Sequence, residues 1–338
     1  MADNSNSKTT LEDLARLAGV SVSTVSRALN DQPLISTRTK QKIWALARDH
    51  NYPFRQSMPT APIGAEGAIV IVTPHMRGRP LPLSHPFFLE LLASIGEAAR
   101  ARGCDFTVSH VAPASLEDLV VTTSTSRANG VIFLGQSMLH KEFNQLAQTN
   151  ARFVVWGAHI AGQKYRSIGS DNLLGGRRAT LHLARLDRKE ILFLGGSDPE
   201  ALQRRQGYLE ALKEAGLEEP DPKLMTPVEF ELESAETAVG RLLRRGVTFD
   251  GIVAGSDLIA LGAIRALRRA GLSVPEDVSV VGYDDMLLSR LSTPALTTIR
   301  QDTVLAGQLL VSSVLGPGRD SSPDYLPTEL IVRESCGG

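Results

Sequence analysis

Residues 19–30 read GVSVSTVSRALN. Placed on a helix at about 100° per residue, Val22, Ser23, Ser26 and Arg27 fall on one contiguous arc, and Thr24, Val25, Ala28 and Leu29 on the other. The second arc is mostly apolar and suits packing on a neighbouring helix. The first is free, carries small polar groups and ends in a single cation. Small side chains let a helix sit deep in the DNA major groove. A hydroxyl such as that of Ser26 reaches phosphate or base edges, and Arg27 suits a bidentate pair with guanine. Ser21 stands just ahead, where a hydroxyl caps a helix.

The flanks extend this stretch into a helix-turn-helix pattern. Thr10 with Asp13 three residues on resembles a capping box, although Glu or Gln is the usual partner. Leu11, Leu14, Ala15 and Ala18 share one face of a first helix, and Gly19 permits the tight turn after it. A third helix follows, with Ser36 as its cap and Ile43, Leu46 and Ala47 as its apolar face. Thr37, Arg38, Thr39 and Lys42 suit phosphate contacts, which position a protein on DNA without specifying sequence. A three-helix protein-interaction module with a solvated serine face is the competing reading.

Charge is divided unevenly along the 338 residues. Residues 1–60 hold eight Lys/Arg against five acids, a balance of +3, while the remainder carries −4. A small basic head on a mildly acidic body is the pattern of a nucleic-acid module joined to something else. The two cysteines, Cys104 and Cys336, form no CxxC. A disulfide framework or zinc site is not expected, nor any metal or cofactor, and a reducing compartment fits. The N-terminal MADNSNSKTT lacks the apolar core of a secretory signal. Apolar runs such as 68–72 and 191–194 are too short to span a bilayer. A cytoplasmic protein with no membrane partner is expected.

From residue 68 the pattern changes. Apolar runs AIVIV (68–72), DFTVSH (105–110), GVIFLG (130–135), RFVVWG (152–157), ILFLGG (191–196), GIVAG (251–255) and VSVVGYD (278–284) alternate with helical stretches such as 201–215, 234–245 and 257–270. Apolar strands separated by helices mean parallel sheets covered on both faces. There are too many for one unit of ordinary size, so two doubly wound subdomains are expected. Ligands bind beyond the carboxyl ends of such strands, where polar and Gly-rich stretches lie.

The core A-x-x-A-G-V-S-x-x-T-V-S-R-x-L-N at residues 15–30 makes 10–52 resemble the DNA-binding head of the LacI/GalR family of bacterial transcription regulators. The resemblance continues through Ser170-Asp171-Asn172, Arg204-x-x-Gly207-Tyr208, Phe230, Ser256-Asp257-x-x-Ala260-x-Gly262, Val280-Val281-Gly282-Tyr283-Asp284-Asp285 and Thr297-Thr298-Ile299-Arg300-Gln301-Asp302. It implies an all-α helix-turn-helix head at 9–53 and a hinge at 54–67. It also implies an α/β body at 68–338 like a periplasmic sugar-binding protein, with subdomains of roughly 68–168 plus 302–328 and 169–301 plus 329–338. The implied function is a dimeric repressor of carbohydrate-utilisation genes. It would bind an inverted-repeat operator in double-stranded DNA under the control of a sugar or sugar derivative. A purine-responsive regulator and a sugar-binding protein without DNA function are the alternatives.

By position, the resemblance makes Val22, Ser23 and Arg27 base readers and Leu34 a further groove contact. Ser21, Thr24, Ser26, Asn30, Ser36, Thr39, Asn51 and Tyr52 match backbone-contact or head-packing positions. Phe87, Phe88, Gln136, Trp156, Arg204, Phe230, Ser256, Asp284 and Gln301 match effector positions. Aromatic faces stack on the apolar side of a sugar ring, and the polar groups bond its hydroxyls. Trp156, Phe230 and one of the two phenylalanines also read as core, and Arg204 as a surface cation. Asp284 or Asp285 also reads as a helix cap, and Asp257 is expected to cap the helix that starts at Leu258.

The chain departs from the family pattern behind the head. The Pro-Asn and Ala-Arg-x-Leu of the family's hinge helix are replaced by PFRQSMPTAPIGAEG (53–67), where Pro59 and Pro62 oppose a helix and Met58 reads as a linker residue, with a minor-groove wedge as the alternative. The usual Leu-Gly-His is Leu186-Asp187-Arg188. No G-x-G-x-x-G after a strand, G-x-x-x-x-G-K-[ST], H-E-x-x-H or G-x-S-x-G is present, so no enzyme motif competes.

Overall fold

The computed structural model describes residues 9–29, 35–36, 39–40, 42–43, 46–47, 50, 68–73, 75–76, 79–80, 84–109, 112–125, 129–136, 138–316 and 324–337. The chain divides into two units, Met1–Ala65 and Glu66–Gly338.

In the first unit, the Thr10 side chain accepts from the Asp13 amide and the Asp13 side chain from that of Thr10, completing a capping box on the helix Leu11–Ala18. Gly19 ends that helix at φ 69°, a left-handed conformation that glycine takes without Cβ strain. The Ser21 hydroxyl accepts from the Thr24 amide at the start of the helix Val22–Leu29. Beyond it, the Ser36 hydroxyl accepts from the Thr39 amide, as the capping pattern predicts. Leu14, Val25, Ala28, Ile43 and Ala47 are fully buried in one apolar cluster. Burying a Leu, Val or Ile contributes about 1.5–3 kcal/mol, so this cluster holds the small unit together. The Lys42 ammonium donates to the Ala18 carbonyl at 2.9 Å, closing the C-terminal end of the first helix. Asn30, Leu34, Thr37, Arg38, Asn51, Tyr52 and the whole 54–67 hinge, with Met58, Pro59 and Pro62, lie outside the described residues.

In the second unit the strands are, in chain order, β1 (Ile69–Val72), a short hairpin of β2 (His75–Met76) and β3 (Arg79–Pro80), β4 (Phe106–Ser109), β5 (Gly130–Phe133), β6 (Phe153–Trp156) and β7 (Ser167–Ser170). Then come β8 (Ile191–Gly195), β9 (Met225–Pro227), β10 (Gly251–Ala254), β11 (Ser279–Asp284), β12 (Thr297–Gln301), β13 (Asp324–Leu326) and β14 (Thr328–Ile331). Among the described residues they form two six-stranded sheets, ordered β4-β1-β5-β6-β7-β13 and β9-β8-β10-β11-β12-β14. Their pairings are parallel except for β14 on β12. Both sheets are doubly wound, with their order reversing at β1 and at β8. The strand Ser167–Ser170 belongs wholly to the first sheet, so the chain crosses to the second after Ser170. It crosses back after Gln301, and β13 and β14 then join one sheet each.

Helices cover the sheets. Pro86–Ala101 packs on Thr303–Leu315, Asn172–Arg185 on Pro199–Glu214, and Leu232–Arg244 on Asp257–Arg269. The second pair meets backbone to backbone. A Cβ on Gly207 would stand 2.0 Å from the Leu173 carbonyl oxygen, and one on Gly176 would stand 2.1 Å from that of Arg204. The Arg204-x-x-Gly207 spacing therefore has a packing cause: the glycine lets the helix approach closely enough to seat the arginine. In the altered Leu186-Asp187-Arg188 turn, Asp187 takes the left-handed conformation that suits glycine, φ 61°. Arg188 there donates to Ser279 Oγ at 3.0 Å and to the Pro275 carbonyl at 2.7 Å. Among the described residues no helix is long and apolar enough to cross a membrane.

Candidate functional site

The helix Val22–Leu29 divides as its angular sorting predicts. Val25 and Ala28 are buried, while Ser21, Ser23, Arg27 and Val22, the last 38% exposed, face outward. Ser26, Thr24 and Leu29 are half-buried at the margins. The Ser21 hydroxyl bonds those of Ser23 and Thr24, each at 2.8 Å, and Ser36 bonds Thr39 at 2.8 Å. An exposed valine beside small hydroxyls and one unhindered guanidinium is a surface able to meet a thymine methyl and a guanine edge together.

The second candidate site lies where the carboxyl ends of the two sheets face each other. About 670 Å³ of space, part of it open to solvent, lies there. From the first sheet's side come Phe87 and Phe88, which open the helix Pro86–Ala101, Trp156 at the end of β6 and Ser170 at the end of β7. From the second come Asp198, Glu200 and Arg204 around the helix Pro199–Glu214, Phe230 beyond β9, Asp284 closing β11 and Gln301 closing β12. Asn172 lines the floor. The aromatic residues therefore serve both of their sequence readings: Phe87 and Trp156 belong to the buried core and also present a surface to the cavity.

Arg204 is only 6% exposed. Its Nε donates to Asn172 Oδ1 at 2.8 Å, another N–H donates to the Gly255 carbonyl, and the guanidinium lies 3.6 Å from the centre of the Tyr283 ring. Asp284 is 4% exposed at a strained φ of 122°, a conformation that non-glycine residues hold chiefly at functional sites. Its Oδ1 accepts from Gln301 Nε2 at 2.7 Å, and its Oδ2 has no partner. Burial pushes its carboxyl well above the usual range, although Arg204 pulls the other way. Ser170 Oγ, also buried in the lining, is likewise without a partner. Burial and the nearby Asp198 charge raise Glu200 to about 7.

Two expected effector residues do not reach the cavity. Gln136 is buried behind Gly157, where its amide donates to the Ala158 carbonyl and to the Tyr165 hydroxyl at 3.0 Å, bracing the loop after β6. Ser256 caps the helix Asp257–Arg269, its hydroxyl accepting from the Ile259 amide at 3.2 Å. Asp257, expected in that capping role, is instead the first helical residue. Its carboxylate accepts from Met286 N, Ser289 Oγ and Thr298 Oγ1 and ties three segments together. Neither Asp284 nor Asp285 caps the helix Leu287–Leu291, which Met286 precedes without a side-chain cap. Asp285 is held by Arg300, Arg290 and Arg333. Burial opposes its ionisation, but Arg333 and Arg300 hold its carboxyl below the ordinary range. Beyond the expected effector residues, Ser170, Asn172, Asp198 and Glu200 also line the cavity. Their available signal was their place at or just beyond the carboxyl ends of β7 and β8.

Residues 10–53 match the model of the bacterial regulatory proteins of the lacI family, and residues 180–336 that of a periplasmic binding protein-like domain. The HTH-type transcriptional regulator CelR of Thermobifida fusca is 30% identical over 338 residues, spanning 96% of this chain and 98% of its own. A solved CelR–cellobiose complex has a TM-score of 0.69 at 29% identity, covering 97% of this chain and 100% of that one. The lac repressor dimer bound to operator and the anti-inducer ONPF has a TM-score of 0.69 at 27% identity, covering 98% and 99%. With the head, the paired sheets and a relative matched along its whole length, the chain belongs to the LacI family, whose members are DNA-binding transcriptional regulators and not enzymes.

Proposed function

We propose that this protein is a homodimeric repressor that reads an inverted-repeat operator through Val22, Ser23 and Arg27, and that a sugar or sugar derivative in the cavity relieves repression. The observation that carries the effector half is the pairing of aromatic faces with buried oxygen atoms lacking partners, Ser170 Oγ and Asp284 Oδ2. A buried polar atom without a partner is costly, and a ligand hydroxyl between Phe88, Trp156 and Phe230 relieves that cost. Cellobiose in the CelR complex and operator DNA on the lac repressor dimer support both halves. A purine-like ligand is the second reading, favoured by the same aromatic residues, which suit stacking.

The cavity draws on both sheets, so a ligand gains its full contacts at one spacing of the two subdomains only. It thereby shifts the population of arrangements that can place two heads in successive major grooves about 34–36 Å apart. The test is Arg27→Ala in the full chain, with binding to genomic DNA fragments read by footprinting. Loss of a guanine contact removes about 1–3 kcal/mol of discrimination while sugar binding, read by calorimetry, persists. Unchanged operator selectivity in that variant removes Arg27 from the interface.

A further inference from the structure

The cavity's charges are unbalanced. Asp198, Glu200 and Asp284 line it, and among the described lining residues Arg204 is the one cation. No ion pair among the described residues joins Arg204 to any of them. Its guanidinium is engaged by Asn172 Oδ1, the Gly255 carbonyl and the Tyr283 face. The carboxylates rest on neutral donors instead. Asp198 Oδ1 accepts from the Ala201 amide at 2.9 Å, Glu200 Oε1 from the Ala158 amide at 3.2 Å and Asp284 Oδ1 from Gln301. Asp284 Oδ2, buried and without a partner, remains to receive a donor.

Resting on the sugar reading above, we propose that this acidic surplus makes the cavity select uncharged or amine-bearing sugars and reject acidic ones, with Glu200 as the residue that sets the preference. An entering anion meets up to three carboxylates in a site of low dielectric, where like charges repel more strongly than in water. The one cation already commits two of its five donors within the protein. Protonation does not reverse the preference: a carboxyl held neutral by burial donates to a hydroxyl but offers an anion no charge, and bringing an anion close raises the cost of every remaining carboxylate. Glu200 has the most leverage. It sits in the first turn of its helix, beside Asp198, and its other contact is an amide of the opposite subdomain, Ala158.

The test is calorimetry on the full chain at pH 8 with matched pyranoses: glucose and galactose, their 2-amino derivatives, their uronates, and glucose 6-phosphate. Repeating it with Glu200→Gln, checked for folding by circular dichroism, isolates that carboxylate. The expected result is binding of neutral or amino sugars at least about tenfold tighter than the matched uronate or phosphate, with the gap narrowing several-fold in Glu200→Gln. Acidic sugars binding as tightly as neutral ones in the wild type overturn the charge selection and leave the sugar site standing. An unchanged gap in a folded Glu200→Gln overturns the role of Glu200. Binding of none of the pyranoses overturns this proposal, and with cellobiose also unbound it overturns the sugar reading itself.

Discussion

Replacing Arg204 by methionine keeps a long flexible side chain and removes the guanidinium. The structure allows the loss to be sized. Two charge-assisted hydrogen bonds disappear, to Asn172 Oδ1 and to the Gly255 carbonyl, together with a cation–π contact at 3.6 Å. Hydrogen bonds to charged groups contribute about 1.5–3 kcal/mol each, and a desolvated cation–π contact about 2 kcal/mol. Against this, the variant no longer buries a cation, which returns several kcal/mol. The net expectation is a destabilisation of about 2–4 kcal/mol. For a unit of this size that lowers Tm by roughly 4–15 °C. Two of the five donors of Arg204 are used internally, so the variant also withdraws donors from the ligand. Thermal unfolding with and without a bound sugar reads both effects, since a ligand stabilises in proportion to its affinity. Arg204→Lys is the control. A single ammonium cannot span the fork to both acceptors, so it is expected between wild type and methionine. An Arg204→Met protein with wild-type Tm and an undiminished shift on adding sugar shows that the guanidinium neither stabilises the fold nor meets the ligand.

Gly207→Ala places a Cβ 2.0 Å from the Leu173 oxygen and 2.7 Å from the Arg177 nitrogen, both backbone atoms that cannot rotate away. Urea denaturation is expected to show a loss of about 3 kcal/mol or more, while Gly240→Ala, whose Cβ meets only the Arg244 guanidinium at 3.4 Å, is expected to be neutral or to gain about 0.5–1 kcal/mol. His85, 7% exposed and stacked on Phe230 at 4.5 Å, is lowered by burial from 6.5 to about 4, against the raising effect of the nearby Phe230 backbone. The unfolded chain binds this proton first, so the stability supplied by the neutral ring is fully present above pH 6.5 and is lost as pH falls towards 4. His85→Phe is therefore expected to gain most over wild type near pH 4, by up to about 3 kcal/mol, with the advantage shrinking by pH 7. A pH-independent Tm difference between the two proteins contradicts that assignment.

Features that depend on neighbours along the chain are legible in the residues alone. The capping box of Thr10 and Asp13, the turn at Gly19 and the buried and exposed arcs of residues 22–29 follow from helical periodicity and local hydrogen bonding. The long apolar runs followed from β-propensity, whereas Ser167–Ser170, Met225–Pro227 and Asp324–Leu326 did not, being three or four residues long and mixed in polarity. The site was legible as a region for the same reason: polar stretches end apolar strands, and ligands bind there. What each side chain does there depends on the folded arrangement. Asp257 and Ser256 are adjacent, yet one clasps Ser289 and Thr298 while the other caps a helix. Gln136 serves the loop behind the cavity, and Glu200 enters it. Apart from the local cap at Ser256, these outcomes turn on partners tens of residues away, delivered by sheet order and helix crossing. No local period encodes them, because a side chain at a strand's end is directed by whatever segment the fold sets opposite it.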